Sequence, residues 1–560
     1  MRNRTTGVAV MVVVLSALAG GALGSRVLAT ADRETERTRS FAAALAVVES
    51  QYVEPVETTP LVYGSIEGML RTLDPHSSFF DPRTYAQMRE RQEGHYYGIG
   101  ISIQSVDGDI TVTQLFEGSP AYRAGLRRGD IVAYVPCAPN ATSKIDAAAV
   151  GTKPGVCQDS TKNWTTDDVV KRIKGPKGTT VDIAIRREGV PQLINLTVAR
   201  DEINITTVST AFMIAPGAGY IRLEGFSETS DTELQAALKK LKAAGMQKLI
   251  LDLRDNPGGP LNQAIAVANH FLHKGQMIVY TRGRVENSDD DYRAATEGDF
   301  TDVPLIVLTS RQSASASEIV TGSMQDHDRG LVIGETTFGK ALVQSVYSID
   351  SAGLALTTAH YYTPSGRLIQ RPWDGSFDEY LTYTLRDQTA DRPHPASELK
   401  YTDGGRKVYG GGGIEPDHFI PGAVEGFNVS NFTRALVSRG ALDAFAVFAE
   451  RFSREGDARP GSRSAATYKV APGWEVTDAM FDDFKKFLIS EHVKVDDAAM
   501  TADRAFIKAE IHFEVDKDLF STEEARRNIV KVDPVAQAAL GYFDEARKLL
   551  DLNAKKGNGQ

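Results

Sequence analysis

Cysteine is scarce and positive charge is outnumbered, and each shortage removes a class of function. Only two cysteines occur in 560 residues, Cys137 and Cys157. No histidine is interleaved with them, so they do not suggest a metal site. Lysine and arginine number 63 against 73 aspartates and glutamates, a formal net charge of −10 with a pI near 5.6. Nucleic-acid binding needs clustered positive charge facing the phosphates, and no basic stripe is present. What remains is ordinary globular composition, 42% hydrophobic and 24% charged, in a chain long enough for three or four domains and a large core.

The chain begins with Arg2 and Arg4 followed by an apolar run over residues 7–24. A positive flank before a hydrophobic segment reads as an export signal. The run is also long enough to stay in a membrane, and its small residues at 17–24 leave both a leader cut after Ala29 and a retained anchor open. Either outcome places the protein outside the cytoplasm, in a periplasm where the cell has two membranes. In an oxidising compartment Cys137 and Cys157, 20 residues apart in one polar loop, are expected to pair. Closing such a loop contributes roughly 3 kcal/mol in chain-entropy terms.

The densest chemistry lies in 304–344, PLIVLTSRQSASASEIVTGSMQDHDRGLVIGETTFGKALVQ. Residues 304–308 read as a buried strand and 316–324 as a helix, which puts Ser315 at a helix N-terminus. Backbone N–H groups there lack intrahelical partners and can donate to an oxyanion formed beside a nucleophile. The bland alternative is that these serines only cap the helix, with Glu318 completing a capping box. Lys340 follows a tight turn and is flanked by Ala341, Leu342 and Val343. A lysine among apolar strands is either neutral or paired, because burying an ammonium is costly. A neutral amine can take the proton of a serine hydroxyl and so activate it. Gln344, four positions on, is placed by strand spacing to orient that amine. A second segment, KLILDLRDNPGG over 248–259, ends an apolar strand in a Gly-Gly loop before a helical stretch at 261–272. Glycines let a backbone approach a reacting carbonyl and aim N–H groups at it.

SASASEI, MQD, GETTFGK and VQ together resemble the carboxyl-terminal processing, or tail-specific, serine proteases, which use a Ser–Lys dyad. The resemblance implies Ser315 as nucleophile, Lys340 as general base and Gln344 as its orienting partner, with the family's spacing of 25 positions between the first two. It also implies an oxyanion hole built from the amide of Ala316 and one from the Gly258-Gly259 loop, with Gly258 slightly favoured. Two positions depart from the family: Ala341 stands where glycine is usual, and His360 where arginine is usual. No metal or organic cofactor is called for. No G-x-S-x-G elbow surrounds Ser315, which argues against an α/β-hydrolase.

Residues 92–200 resemble a PDZ domain, with Gly98, Ile99, Gly100 and Ile101 in the loop that cradles a peptide's terminal carboxylate. GSPA at 118–121, AGLRRGD at 124–130, a helix over 164–174 and the turn GPKG at 175–178 continue the likeness, and the stretch 136–163 is longer than the family pattern. Residues 31–91 read as helices, the second ending at Pro75, and resemble a family region used for dimerisation or capping. His76 beside that helix end is read as a hydrogen-bonding turn residue and not as catalytic.

The expected architecture is α/β and multi-domain: a leader or anchor at 1–30, a helical region at 31–91, the PDZ domain at 92–200, a crotonase-like or ClpP-like protease core at 201–423, and a helical extension at 424–560 with helices over 432–452, 476–492 and 533–552. The expected partners are protein or peptide substrates with free C-termini, and a homo-oligomer or an adaptor is open. Two other classes fit parts of the chain: a non-catalytic PDZ scaffold or chaperone, and a crotonase-like acyl-transfer enzyme, whose thioester oxyanion would also suit the Gly-Gly turn.

Overall fold

The computed structural model describes residues 36–138, 151–153, 155–286, 288–373, 380, 382–389, 394–437, 444–454 and 470–557. The expected leader or anchor at 1–30 lies outside the described residues. Among those described, no helix is long and apolar enough to cross a membrane. The chain divides into two units, one of residues up to 85 with 344–357, the other of 86–343 with 358–560.

In the first unit the helix Thr58–Leu70 packs through Leu70, Tyr63 and Ile66 on Phe79 of the short strand Ser78–Phe80. That strand pairs antiparallel with residues 353–355. The helix stops at Leu70, short of the expected Pro75, where the N–H groups of Thr72 and Leu73 turn back to the carbonyls of Met69 and Leu70, and the Asp74 carboxylate then takes the N–H groups of His76 and Ser77 and the Ser77 hydroxyl into a further turn.

The second unit opens with a ribbon in which His95–Gly98 pairs antiparallel with Asp201–Asn204. Entry to and exit from the intervening segment therefore lie side by side, the geometry of an inserted domain. Between them, Ile101–Val106, Asp109–Leu115, Ile131–Pro136, Thr180–Arg186 and Ile194–Ala199 form an antiparallel sheet in that order, with Ile101–Val106 at the edge. Alternate residues Ile110 and Val112, and Ile183 and Ile185, face a core shared with Val169 and Ile173 of the helix Thr166–Ile173. Thr165 caps that helix by accepting from the Asp168 N–H. Cys137 and Cys157 are joined by a disulfide, with 5.4 Å between their Cα atoms.

The core sheet has the order Val208–Ala215, Ala218–Leu223, Lys248–Asp252, Leu305–Thr309, Gly330–Gly334, His418–Phe419. The first two strands form an antiparallel hairpin and every later neighbour is parallel. Strands buried on both faces read as continuous apolar runs, as LIL at 249–251 and LIVL at 305–308 do here. Leu249, Leu251, Leu305 and Val307 point to the helices Ser230–Ala243, Leu261–Asn269 and Ala316–Asp326. Ile250, Ile306, Leu308 and Ile333 point the other way, into a cluster with Phe445, Phe484, Phe506 and Ile511. The C-terminal extension therefore supplies the second helical layer of the core. Of its expected helix over 432–452, the described parts are the helical stretches Asn431–Val437 and Ala444–Arg454, and the one over 533–552 is two helices, Pro534–Leu540 and Phe543–Gly557. Arg128 of the inserted domain is buried against Glu514 and Asp518 of the helix Arg504–Leu519, 2.8 Å from the latter.

Candidate active site

Two neighbouring parallel strands end at the same place. Lys248–Asp252 runs into the loop 253–259, and Leu305–Thr309 runs into the turn that carries Ser315. Carboxyl ends of parallel strands are where open α/β sheets collect functional groups. Hydrogen bonds stitch the two loops together: the Ser313 hydroxyl donates to the Leu253 carbonyl at 2.7 Å, the Ser317 hydroxyl to the Asn256 carbonyl at 2.9 Å, and the backbone Ala314 N–H to the same carbonyl at 3.0 Å.

Ser315 sits immediately before the helix Ala316–Asp326 with φ 55° and ψ −113°. A non-glycine residue with positive φ is uncommon and costs about 1–3 kcal/mol, so surrounding contacts must hold it there. The chief contact is Glu318. Its fully buried carboxylate accepts from the Ser315 N–H at 2.8 Å, the Lys340 N–H at 2.9 Å, the Gly339 N–H at 2.7 Å and the Thr337 hydroxyl at 2.5 Å. One oxygen, Oε2, thus bridges the main chains of both proposed dyad residues. The capping pattern read from the sequence is present, since Glu318 does take the Ser315 N–H. It escaped the sequence reading that the same carboxylate gathers the turn 337–340, because those donors lie about twenty residues downstream.

Burial pushes the Glu318 carboxyl up to about 7, against the pull of its donors from Thr337, Lys340, Ser315 and Gly339. Folded protein therefore holds a proton that the unfolded chain, with an ordinary value of 4.5, releases between these two pH values. The contribution to stability is full below about pH 4.5 and is lost as pH rises through about 7, an effect on the order of 3 kcal/mol. Glu318→Gln lacks this titration. The unfolding free energy of the variant should accordingly gain on that of the parent by this amount between about pH 4.5 and 7.5 in urea titrations. A gap independent of pH would contradict the assignment.

Gly258 lies against the proposed nucleophile: a Cβ there would fall 2.8 Å from Ser315 Cβ, 2.8 Å from Ala316 N and 2.7 Å from Ala314 O, at a φ of +94° that favours glycine. Its N–H, however, donates to Asn256 Oδ1 at 2.9 Å. Gly258 thus keeps the space open with its N–H engaged, and the exposed Gly259 is the loop glycine whose N–H carries no hydrogen bond among the described residues. Ala316 N–H, at the first helical position, likewise has none there.

The turn bearing Lys340 is fixed on several sides. The Phe338 N–H donates to the Ser313 carbonyl at 2.9 Å, the Ala341 N–H to Gln370 Oε1 at 2.8 Å, and the Arg371 side chain to the Phe338 carbonyl at 2.8 Å. The methyl group of Ala341 is buried. Gln344 belongs to the first unit, where its amide nitrogen donates to the His76 carbonyl at 2.6 Å. In the inserted domain, Gly98 ends the strand His95–Gly98, Ile99 is buried, Gly100 takes a φ of +81°, and Ile101 starts the edge strand. A Cβ on Gly100 would lie 2.3 Å from Ser119 Cβ, so the loop needs glycine there. Among the described residues no group of histidine, cysteine, aspartate and glutamate could hold a metal ion.

Residues 217–374 match the model of peptidase family S41, and residues 23–84 match that of the activating protease CtpB N-terminal domain. The chain is 39% identical over 329 residues to a carboxy-terminal-processing protease of Bartonella bacilliformis, covering 58% of this chain and 70% of that protein. It is 31% identical over 351 residues to the carboxy-terminal processing protease CtpA of Bacillus subtilis, covering 62% and 69%. Among solved structures, a photosystem II D1 C-terminal processing protease aligns over 58% of this chain and 82% of its own at 29% identity, with a TM-score of 0.31. The molecule is thus a serine-type peptidase with a mixed α/β core. It belongs to the carboxy-terminal processing proteases of family S41.

Proposed function

We propose that this protease cleaves exported proteins near their C-termini with Ser315 as nucleophile and Lys340 as general base. The observation that carries the reading is the single buried carboxylate, Glu318, that binds the main chains of both residues. A neutral Lys340 amine takes the Ser315 proton as the oxygen attacks a peptide carbonyl. The amides of Ala316 and Gly259 then hold the oxyanion, where preorganised donors in a dry site act most strongly. The amine returns its proton to the leaving nitrogen, and water releases the acyl group. Gln344 is the candidate for orienting the amine, on chain spacing and resemblance. The parallel strands ending in two stitched turns support a crotonase-like or ClpP-like core, and the apolar leader supports a site of action outside the cytoplasm, in a periplasm, with a retained anchor as the alternative.

Substrate recognition is assigned to the inserted domain. Its edge strand Ile101–Val106 can pair with an extended peptide, and the preceding loop at 98–101 can receive the terminal carboxylate. An unfolded protein with an apolar free C-terminus should be degraded, whereas the same substrate with an amidated C-terminus should show a KM at least about 10-fold higher, since it lacks the charged end. Binding without any turnover would instead support a PDZ scaffold or chaperone. Equal KM values would remove the carboxylate loop from recognition.

A further inference from the structure

Ser315 and Lys340 arrive from different segments, and proton transfer between them needs their positions held within about 0.5 Å. Glu318 fixes the N–H side of both peptides. The carbonyl side is met by Tyr361, on the strand Ala352–Tyr362 and 1% exposed. Its phenol oxygen lies 2.6 Å from the Lys340 carbonyl oxygen and 3.1 Å from that of Ser315. Its own N–H donates to the Ala341 carbonyl at 3.0 Å, so the same residue grips two successive peptides of the lysine turn. A buried tyrosine hydroxyl needs an acceptor, but any one carbonyl would satisfy it. This one lies between the carbonyls of the two residues assigned to the chemistry.

We propose that Tyr361 is a positioning residue for the dyad, its phenol tying the Lys340 carbonyl to that of Ser315 and thereby setting the reach from amine to hydroxyl. The inference rests on the Ser315 and Lys340 assignment above. The phenol holds a single proton, shared between two acceptors with the shorter bond to Lys340. Burial, with Glu318 and Tyr380 nearby, pushes its pKa well above the ordinary 10, so it remains a donor throughout the range in which a peptidase works. It takes no part in proton transfer. Its neighbour on the strand, Tyr362, faces the other way and stacks on Tyr280 at 5.1 Å, which leaves Tyr361 alone in this role on its strand.

Tyr361→Phe removes only the oxygen and keeps the ring in the core. The expected result is a fall in kcat of about 10- to 100-fold at unchanged KM, because misplacement of reacting groups by up to about 1 Å costs up to about 100-fold. The acidic limb of the kcat–pH profile should move as the Lys340 amine shifts from the place proposed for it, a change that loss of folded protein would not produce. Labelling of Ser315 by a fluorophosphonate, counted per folded molecule, separates a slowed nucleophile from an unfolded one. Replacing the phenol with the aniline of 4-aminophenylalanine keeps a donor in place and should restore most of the rate. The proposal is overturned if folded Tyr361→Phe keeps the parent kcat and pH profile, or if the rate falls with the profile unmoved and the aniline does not restore it. Ser315→Ala run in parallel tests the underlying assignment: activity surviving there ends the dyad, whereas an inactive Ser315→Ala beside a fully active Tyr361→Phe ends only the clamp.

Discussion

Replacing Lys340 with alanine is expected to lower peptide hydrolysis about 10^4-fold with the fold retained, the upper end of what a positioned general base contributes. The serine would then face the substrate as an ordinary alcohol, with its proton still in place. The fold should survive, because the bonds that shape the turn come from the main chain: the Lys340 N–H to Glu318 and the Lys340 carbonyl from Tyr361. Unchanged melting beside lost turnover is the expected signature. Equal turnover in Lys340→Ala would remove the lysine from the mechanism.

The second large effect concerns stability, and it comes from the C-terminal extension. Arg254, 3% exposed and two residues before Asn256, pairs with Asp252 at 2.6 Å and with Asp533 at 2.6 Å. Asp533 also caps the helix Pro534–Leu540 by accepting from the N–H groups of Val535 and Ala536. Asp533→Ala leaves a buried guanidinium short of one carboxylate and a helix without its cap. Removing one partner of a buried pair costs about 3–5 kcal/mol. Urea unfolding should show a midpoint lowered accordingly. Since Asn256 in turn holds the Gly258 N–H, the remaining folded protein should also lose activity. Asp533→Asn keeps the cap and should fall between parent and Ala variant. A loss below about 1 kcal/mol, the usual range for a surface pair, would mean that the extension does not brace this loop.

The structure around the candidate site was legible where it is local. A strand, a small-residue turn and a helix start can be read from PLIVLTSRQSASASEI, and a strand ending in Gly-Gly from KLILDLRDNPGG, because period and turn residues are properties of short windows. What escaped was long-range. Glu318 reads as a cap from its position three residues after Ser315, and only the folded chain brings Thr337, Gly339 and Lys340 to it. The two glycines of the loop look equivalent in sequence; they differ in the fold because the side chain of Asn256 occupies the N–H of Gly258. Asp533 meets Arg254 across 279 positions, and no local pattern encodes that pairing. The extension was unreadable for the same reason: its helices are amphipathic in the usual way, but their partner is the far side of a sheet whose strands come from residues 208–334 and 418–419.

The most direct test of the central claim is the site and rate of covalent labelling by a fluorophosphonate, read by peptide mass spectrometry in parent, Ser315→Ala and Lys340→Ala proteins. The account predicts a single adduct on Ser315 in the parent, none in Ser315→Ala, and labelling slowed by orders of magnitude in folded Lys340→Ala. An adduct on another residue, or Ser315 labelled at the parent rate without Lys340, would contradict it.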